Sequence, residues 1–285
     1  MKLAGRRAVV TGASQGLGQT IATLFAKEGA DVLICARNAT GLETARRQIG
    51  SEASGKVLAK TADVATATDV QELVKEASSH LGGLDVLVCN AGVYGPKGSI
   101  DELDWDAWVE AIQINLLGTV LCCRLFLPLL RKSARGKIIL LSGGGATKPL
   151  PFLSAYAASK AAVVRFGETL AGELKSAGID VNSVAPGALN TRLLQEVIDA
   201  GPEKVGSAFY QASLKQQESG GTPLDIGANL CLYLASDESD GITGKLISAV
   251  WDPWQEFQNH GQDLNQTDIY TLRRIVPGER GLSWG

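Results

Sequence analysis

The chain has 285 residues, 45% hydrophobic and 20% charged, which is enough apolar surface to bury a sizeable core in one α/β domain. Its 27 lysines and arginines nearly balance 30 aspartates and glutamates, so a formal charge of −3 gives no basic footprint for nucleic acid. The 33 glycines are scattered and form no linker-like run, which suits many tight turns between short elements.

In chain order, residues 1–11 run straight into an apolar strand pattern with no export-signal layout. Residues 7–10 read as a strand, 17–27 as a helix and 31–36 as a second strand, a βαβ opening. Further strands are predicted at 56–61, 84–89, 137–142, 180–184 and 245–250, with helical patterns between them. Near-continuous apolar strands separated by helices predict a doubly wound, Rossmann-type parallel sheet with ligands at its carboxyl edge. The longest apolar stretch, 116–130, contains Gly118, Arg124 and Pro128 and reads as a buried helix, not a membrane span. Residues 1–250 are thus expected to form the catalytic domain, with 193–222, polar and glycine-containing, as a substrate lid. Residues 251–285 read as an aromatic extension, with Trp251, Trp254, Tyr270 and Trp284, expected to pack on the body or on a neighbouring subunit, with a substrate role as the alternative.

Five cysteines, Cys35, Cys89, Cys122, Cys123 and Cys231, sit mostly in apolar runs without CxxC spacing, as expected of buried thiols in a reducing, cytoplasmic compartment. His80 and His260 stand far apart, so neither a metal site nor a histidine triad is expected.

Directly after the first strand comes Thr11-Gly12-Ala13-Ser14-Gln15-Gly16-Leu17-Gly18, opening a helix. Glycines there let the backbone approach a pyrophosphate closely, and the helix N-terminus favours negative charge. At the end of the second strand, where NAD-preferring enzymes carry an acidic residue for the adenosine ribose, the chain has Ala36 followed by Arg37. A guanidinium without a competing carboxylate suits a ribose 2′-phosphate, so NADP(H) is expected over a still possible NAD(H). Arg37 as a plain solvated loop residue is the competing reading.

Tyr156-Ala157-Ala158-Ser159-Lys160 opens a long helical pattern, which puts the phenol and the amine one turn apart on one face. A phenol ionises near pH 10, and a nearby ammonium is expected to bring it closer to the range where it exchanges a proton with a substrate oxygen.

Together with Asp63-Val64, Asn90-Ala91-Gly92, Asn115, Pro186-Gly187 and Thr191, these motifs resemble in order and spacing the short-chain dehydrogenase/reductase family, over roughly residues 3–250. The resemblance implies hydride transfer between a nicotinamide cofactor and a small carbonyl or alcohol. By it, Gly12, Gly16 and Gly18 surround the pyrophosphate, Asp63 and Val64 approach adenine, Asn90 lies beside the cofactor ribose, and Ser14, Gln15, Leu17, Ala91 and Gly92 also border the cofactor. Tyr156 becomes the general acid/base, Lys160 holds the ribose hydroxyls and tunes Tyr156, Asn115 anchors a water, and Pro186, Gly187 and Thr191 lie by the nicotinamide. A homodimer or homotetramer is implied in the same way.

One departure stands out. The family's catalytic serine stands thirteen residues before the tyrosine, and that position is Gly143 in Ser142-Gly143-Gly144-Gly145. Ser142 is adjacent, but strand alternation turns it away from the pocket unless the triple glycine bends the chain. Losing such a donor removes on the order of 3 kcal/mol of transition-state stabilisation. Three readings stay open: Ser142 is displaced into the role, another donor such as Thr147, Ser154, a backbone N–H or a substrate group replaces it, or the chain is a cofactor-binding scaffold or sensor. The second is the expectation, because Tyr156, Lys160 and Asn115 are all present. A dehydratase or epimerase acting on a sugar derivative would carry a longer substrate domain, for which the chain has no room. Val93, Tyr94, residues 143–147, Leu150, Phe152 and the segment after Thr191 are candidate pocket walls, mainly apolar.

Overall fold

Strands form where aliphatic residues run together, and each strand divides its side chains between two apolar layers. The computed structural model describes residues 1–284, with seven strands among them: β1 (Arg7–Thr11), β2 (Asp31–Ala36), β3 (Val57–Thr61), β4 (Val86–Cys89), β5 (Gly136–Leu141), β6 (Ile179–Ala185) and β7 (Leu246–Ser248). All pair in parallel, in the order β3-β2-β1-β4-β5-β6-β7. This is the doubly wound sheet the periodicity predicts. Its strand ends differ by a residue or two, and two differences matter: β5 stops at Leu141, leaving Ser142 just beyond it, and β7 keeps only three residues.

The helices are α1 (Gly16–Lys27), α2 (Ala39–Gly50), α3 (Ala67–Glu76), α4 (Trp105–Ile112), α5 (Gly118–Leu130), α6 (Ser154–Leu174), α7 (Arg192–Val205), α8 (Ser207–Ser219), α9 (Leu224–Ala235) and α10 (Gly261–Gln266). Period-two alternation sorts the sheet. Val10, Ile34, Val88 and Ile139 meet α1, α2 and α9 in one layer, while Val9, Leu33, Leu87 and Ile138 meet α3, α5 and α6 in the other. A single-turn π-helix, Gln113–Leu117, joins α4 to α5, so the apolar stretch expected at 116–130 belongs to a helical run of 26 residues, Trp105–Leu130. That run is long and apolar enough to cross a membrane, but Ile114, Cys122, Cys123, Phe126 and Leu130 bury its inner face against the sheet.

The segment expected as a lid is a helical hairpin of α7 and α8, hinged at Gly206, whose φ of +78° is in the region glycine favours. The extension beyond β7 packs on the body. Phe257 and Leu264 are buried with α9 and α1, and Trp254 and Tyr270 lean on the same layer, while Trp251 and Trp284 stay exposed. Buried Lys245 donates to the carbonyls of Thr267 (3.1 Å) and Ile269 (2.9 Å), and Leu246 N–H donates to the Tyr270 carbonyl (2.8 Å). On the far side, Leu272 N–H donates to the Glu168 carboxylate of α6 (2.6 Å).

Because one ammonium fastens two carbonyls of the tail, Lys245→Met is expected to destabilise the chain by about 1.5–3 kcal/mol, the range for hydrogen bonds to a charged group. A urea melt with amide exchange read at Leu246 checks this, and an unchanged midpoint would contradict it.

Candidate active site

The carboxyl ends of β1 and β4 meet at the point where strand order reverses, the position ligands favour in open α/β sheets. There the Asn90 side chain donates to the carbonyls of Thr11 (2.9 Å) and Gly12 (3.1 Å), and the Thr11 hydroxyl accepts the backbone N–H groups of Asn90 and Ala91. Glycine is required by this closeness. A Cβ on Gly12 would lie 2.7 Å from Ala91 Cα, and one on Gly18 within 2.5 Å of the Gly12 oxygen. Gln15 precedes α1 without a side-chain cap, leaving the first-turn N–H groups of α1 to a ligand. A cleft of about 1310 Å³ opens here, walled by Gly12, Ser14, Gln15, Gly16, Leu17, Gly18, Arg37, Asp63, Val64, Asn90, Ala91 and Gly92. It continues past Ser142, Gly143, Tyr156, Lys160, Pro186, Gly187 and Thr191. The cradle fits a dinucleotide: the close-packed glycine turn borders the cleft without bulky side chains, and the first turn of α1 behind it has no side-chain cap.

Arg37 lies half-exposed at the cleft end, 3.9 Å from the Asp63 carboxylate and 3.8 Å from that of Glu110. Such long, solvated contacts hold a guanidinium loosely. Glu110, on α4, was not legible in the sequence as a neighbour of Arg37.

At the other end of the cleft, Tyr156 and Lys160 are buried on one face of α6. Lys160 Nζ donates to the Leu141 carbonyl (2.7 Å) and lies 5.7 Å from the Tyr156 ring centre. Burial lowers the lysine pKa to about 8 and pushes the Tyr156 phenol above its ordinary value, with Tyr94 adding to the second shift. The expected lowering of the phenol by the ammonium does not prevail. Desolvation outweighs it, and the lysine points its charge at a carbonyl.

Asn115 has a bracing part in the fold. It is buried in the π-turn and does not border the cleft: its side chain exchanges two hydrogen bonds with Val93, both 2.8 Å, and donates to Ser159 Oγ (3.0 Å). Both donors of that amide are thus engaged, and Asn115 braces the Val93 loop against α6.

Gly143 explains the missing serine spatially. A Cβ built there would overlap the Tyr156 hydroxyl and stand 3.1 Å from its Cζ; one on Gly145 would stand 2.7 Å from Ala157 Cα, whereas Gly144 has open space. Two of the three glycines thus let the loop press onto the start of α6. The Ser142 hydroxyl is sealed away from solvent without a hydrogen-bond partner.

Of the other proposed donors and walls, Thr147 and Leu150 border the cleft, while Ser154 and Phe152 do not. Ser154 Oγ accepts from Trp108 Nε1 (3.1 Å). Phe152 holds a φ of +67°, uncommon for a bulky residue, where its ring meets Gly206 of the lid hinge and its carbonyl accepts Gly98 N–H. Phe209, Ser213 and Gln216 of α8, inside the segment expected as a lid, border the cleft, as do Trp251 and Asp252 of the extension, of which the sequence reading missed Asp252. No motif marks them. Only the fold, by returning β7 beside β6, brings them there.

The family model for short chain dehydrogenase matches residues 6–201. The chain belongs to the short-chain dehydrogenase/reductase family. Glucose 1-dehydrogenase of Gluconobacter oxydans (strain 621H) is 35% identical over 247 residues, covering 86% of this chain and 91% of that protein. L-fucose dehydrogenase of Oryctolagus cuniculus is 34% identical over 242 residues, covering 84% and 81%. The crystal structure of levodione reductase superimposes with a TM-score of 0.79 at 25% identity, over 90% of this chain and 99% of that one. This short-chain dehydrogenase/reductase is thus an oxidoreductase by family, and the family uses NAD(P) cofactors on small molecules.

Within that family, Gly143→Ala should be harmful, not silent, because the new methyl group displaces the Tyr156 hydroxyl. A misplacement near 1 Å costs on the order of 100-fold in turnover. Steady-state kinetics beside Gly144→Ala, which has room for its methyl group, checks this. Equal rates for the two variants would contradict it.

Proposed function

We propose that this chain is an NADP(H)-dependent enzyme interconverting a carbonyl and a secondary alcohol, with Tyr156 as general acid and base. The observation that carries the reading is the Tyr156 phenol bordering the same cleft as the glycine cradle, with Lys160 one turn away. A bound nicotinamide would supply or accept the hydride. Gly12, Gly16 and Gly18 would hold its pyrophosphate, with Ser14, Gln15 and Leu17 in the same turn, and Asp63 and Val64 would wall the adenine. Asn90, Ala91, Gly92 and Lys160 would hold the ribose side, and Pro186, Gly187 and Thr191 the carboxamide side. Arg37 would pair with the 2′-phosphate. Tyr156 would then give its proton to the carbonyl oxygen in reduction and take it back in oxidation.

The α7–α8 hairpin is the lid in this reading, and Trp251 and Asp252 bring the extension to the substrate rim. The names of the relatives direct the substrate search to glucose, L-fucose and levodione. Exposed Trp105 and Leu117 on the α4–α5 run support a homodimer or homotetramer through that surface, and five free, buried cysteines suit a cytoplasmic enzyme. A second reading, cofactor binding without efficient turnover, is favoured by Gly143 alone.

Tyr156→Phe separates the two readings: it should abolish turnover on a carbonyl and alcohol panel while NADPH affinity stays unchanged. Arg37→Asp should cost NADPH about 10- to 100-fold in kcat/KM, as loss of a hydrogen bond to a charged group does, and move preference toward NADH. A wild-type preference for NADH would contradict the assignment.

For pH, the sign follows from Lys160, which keeps its ammonium below about 8 and loses it above. Burial keeps Tyr156 protonated across neutral pH. Carbonyl reduction, which needs both protons, should be flat at lower pH and fall as pH rises through about 8. Lys160→Arg, whose guanidinium does not deprotonate, should lose that limb even at a lower absolute rate. A limb that persists in the variant would assign it to another group.

A further inference from the structure

With glycine at position 143, one side-chain donor near the reacting oxygen is missing, and the seating of Tyr156 limits where a second can stand. The Tyr156 hydroxyl lies against the Gly143 backbone, so the side of the phenol facing β5 is closed. Ser142 borders the cleft but its hydroxyl is buried away from solvent, and Ser154 is engaged by the Trp108 indole outside the cleft. Thr147 borders the cleft from an exposed loop position. Tyr94 remains. Its ring stands edge-on to the Tyr156 ring, with centres 4.6 Å apart and planes at 70°, and it borders the same cleft.

We infer that the Tyr94 hydroxyl is the second hydrogen-bond donor to the reacting substrate oxygen, across from Tyr156 and in place of the absent serine; this rests on the carbonyl–alcohol chemistry proposed above. The surroundings of Tyr94 suit a donor that keeps its proton. Burial, and then the Glu196 carboxylate of α7, raise its phenol pKa, so it stays neutral wherever Tyr156 works. Lys97 Nζ lies 5.8 Å from the ring centre, donates to the Gly95 carbonyl (3.3 Å) and pairs with Glu196 at 3.4 Å, which ties Tyr94 to the lid. In reduction the carbonyl carbon gains hydride, the oxygen gains the Tyr156 proton, and Tyr94 only hydrogen-bonds the growing negative charge.

Tyr94→Phe removes the hydroxyl and keeps the ring pair. With the melting temperature and cofactor KM unchanged, kcat should fall about 100-fold, as on loss of one oxyanion donor. A second readout needs no substrate or cofactor. Ultraviolet difference titration of the tyrosinates, with Tyr156→Phe used to assign the signal, should show Tyr156 ionising at lower pH in Tyr94→Phe, since Tyr94 raises it. An unmoved titration places the two hydroxyls too far apart to share an oxygen and overturns the inference. So does a kcat within about twofold of wild type, or a loss confined to Ser142→Ala or Thr147→Ala. A wild-type rate in Tyr156→Phe would instead sink the underlying chemistry, and a Tyr156→Phe variant that is dead beside a fully active Tyr94→Phe would sink only the role of Tyr94.

Discussion

The site depends on one close approach, between the glycine turn after β1 and the end of β4. The Asn90 amide and the Thr11 hydroxyl join the two halves of the sheet where strand order reverses, with hydrogen bonds of 2.9–3.1 Å. Their backbones come so near that neither Gly12 nor Gly18 has room for a Cβ. The same compression empties the volume a dinucleotide needs and leaves the first turn of α1 uncapped. Binding capacity is thus a product of packing, with backbone groups as the ligands.

The opposite end of the cleft works against its own solvation. A lysine and a tyrosine are both taken out of water, and each shift moves toward the neutral form. The Leu141 carbonyl compensates the ammonium in part. A group of this kind responds strongly to a new neighbour, because the low local dielectric magnifies any dipole or charge brought beside it. Filling the cleft with polar ligand atoms therefore changes the ionisation balance of the pair more than it would at an exposed surface.

Much of this was legible in the sequence. Seven apolar runs mark seven strands because a parallel sheet covered on both faces leaves no polar alternation, and the turn at residues 11–18 is local enough for spacing to reveal it. Tyr156 and Lys160 were legible for the same reason, four residues apart on one helix. Asn115 was found as a residue but not in its bonding, since only the fold shows that Val93 and Ser159 occupy its amide. Glu110 beside Arg37, Tyr94 against Tyr156, and Asp252 at the rim join residues far apart in the chain, and no periodicity encodes such pairs. Gly143 was visible as a departure, yet its meaning came from the hydroxyl that fills the space a side chain would take.

The strap of residues 267–272 has a consequence outside catalysis. β7 is the last strand of the sheet on its side, and its outer N–H groups would otherwise face water as a template for another chain. Leu246 N–H instead finds the Tyr270 carbonyl within its own molecule, and Lys245 pins the flanking turns. The extension thereby blunts one margin of the sheet, which guards a concentrated solution of the protein against edge-to-edge polymerisation.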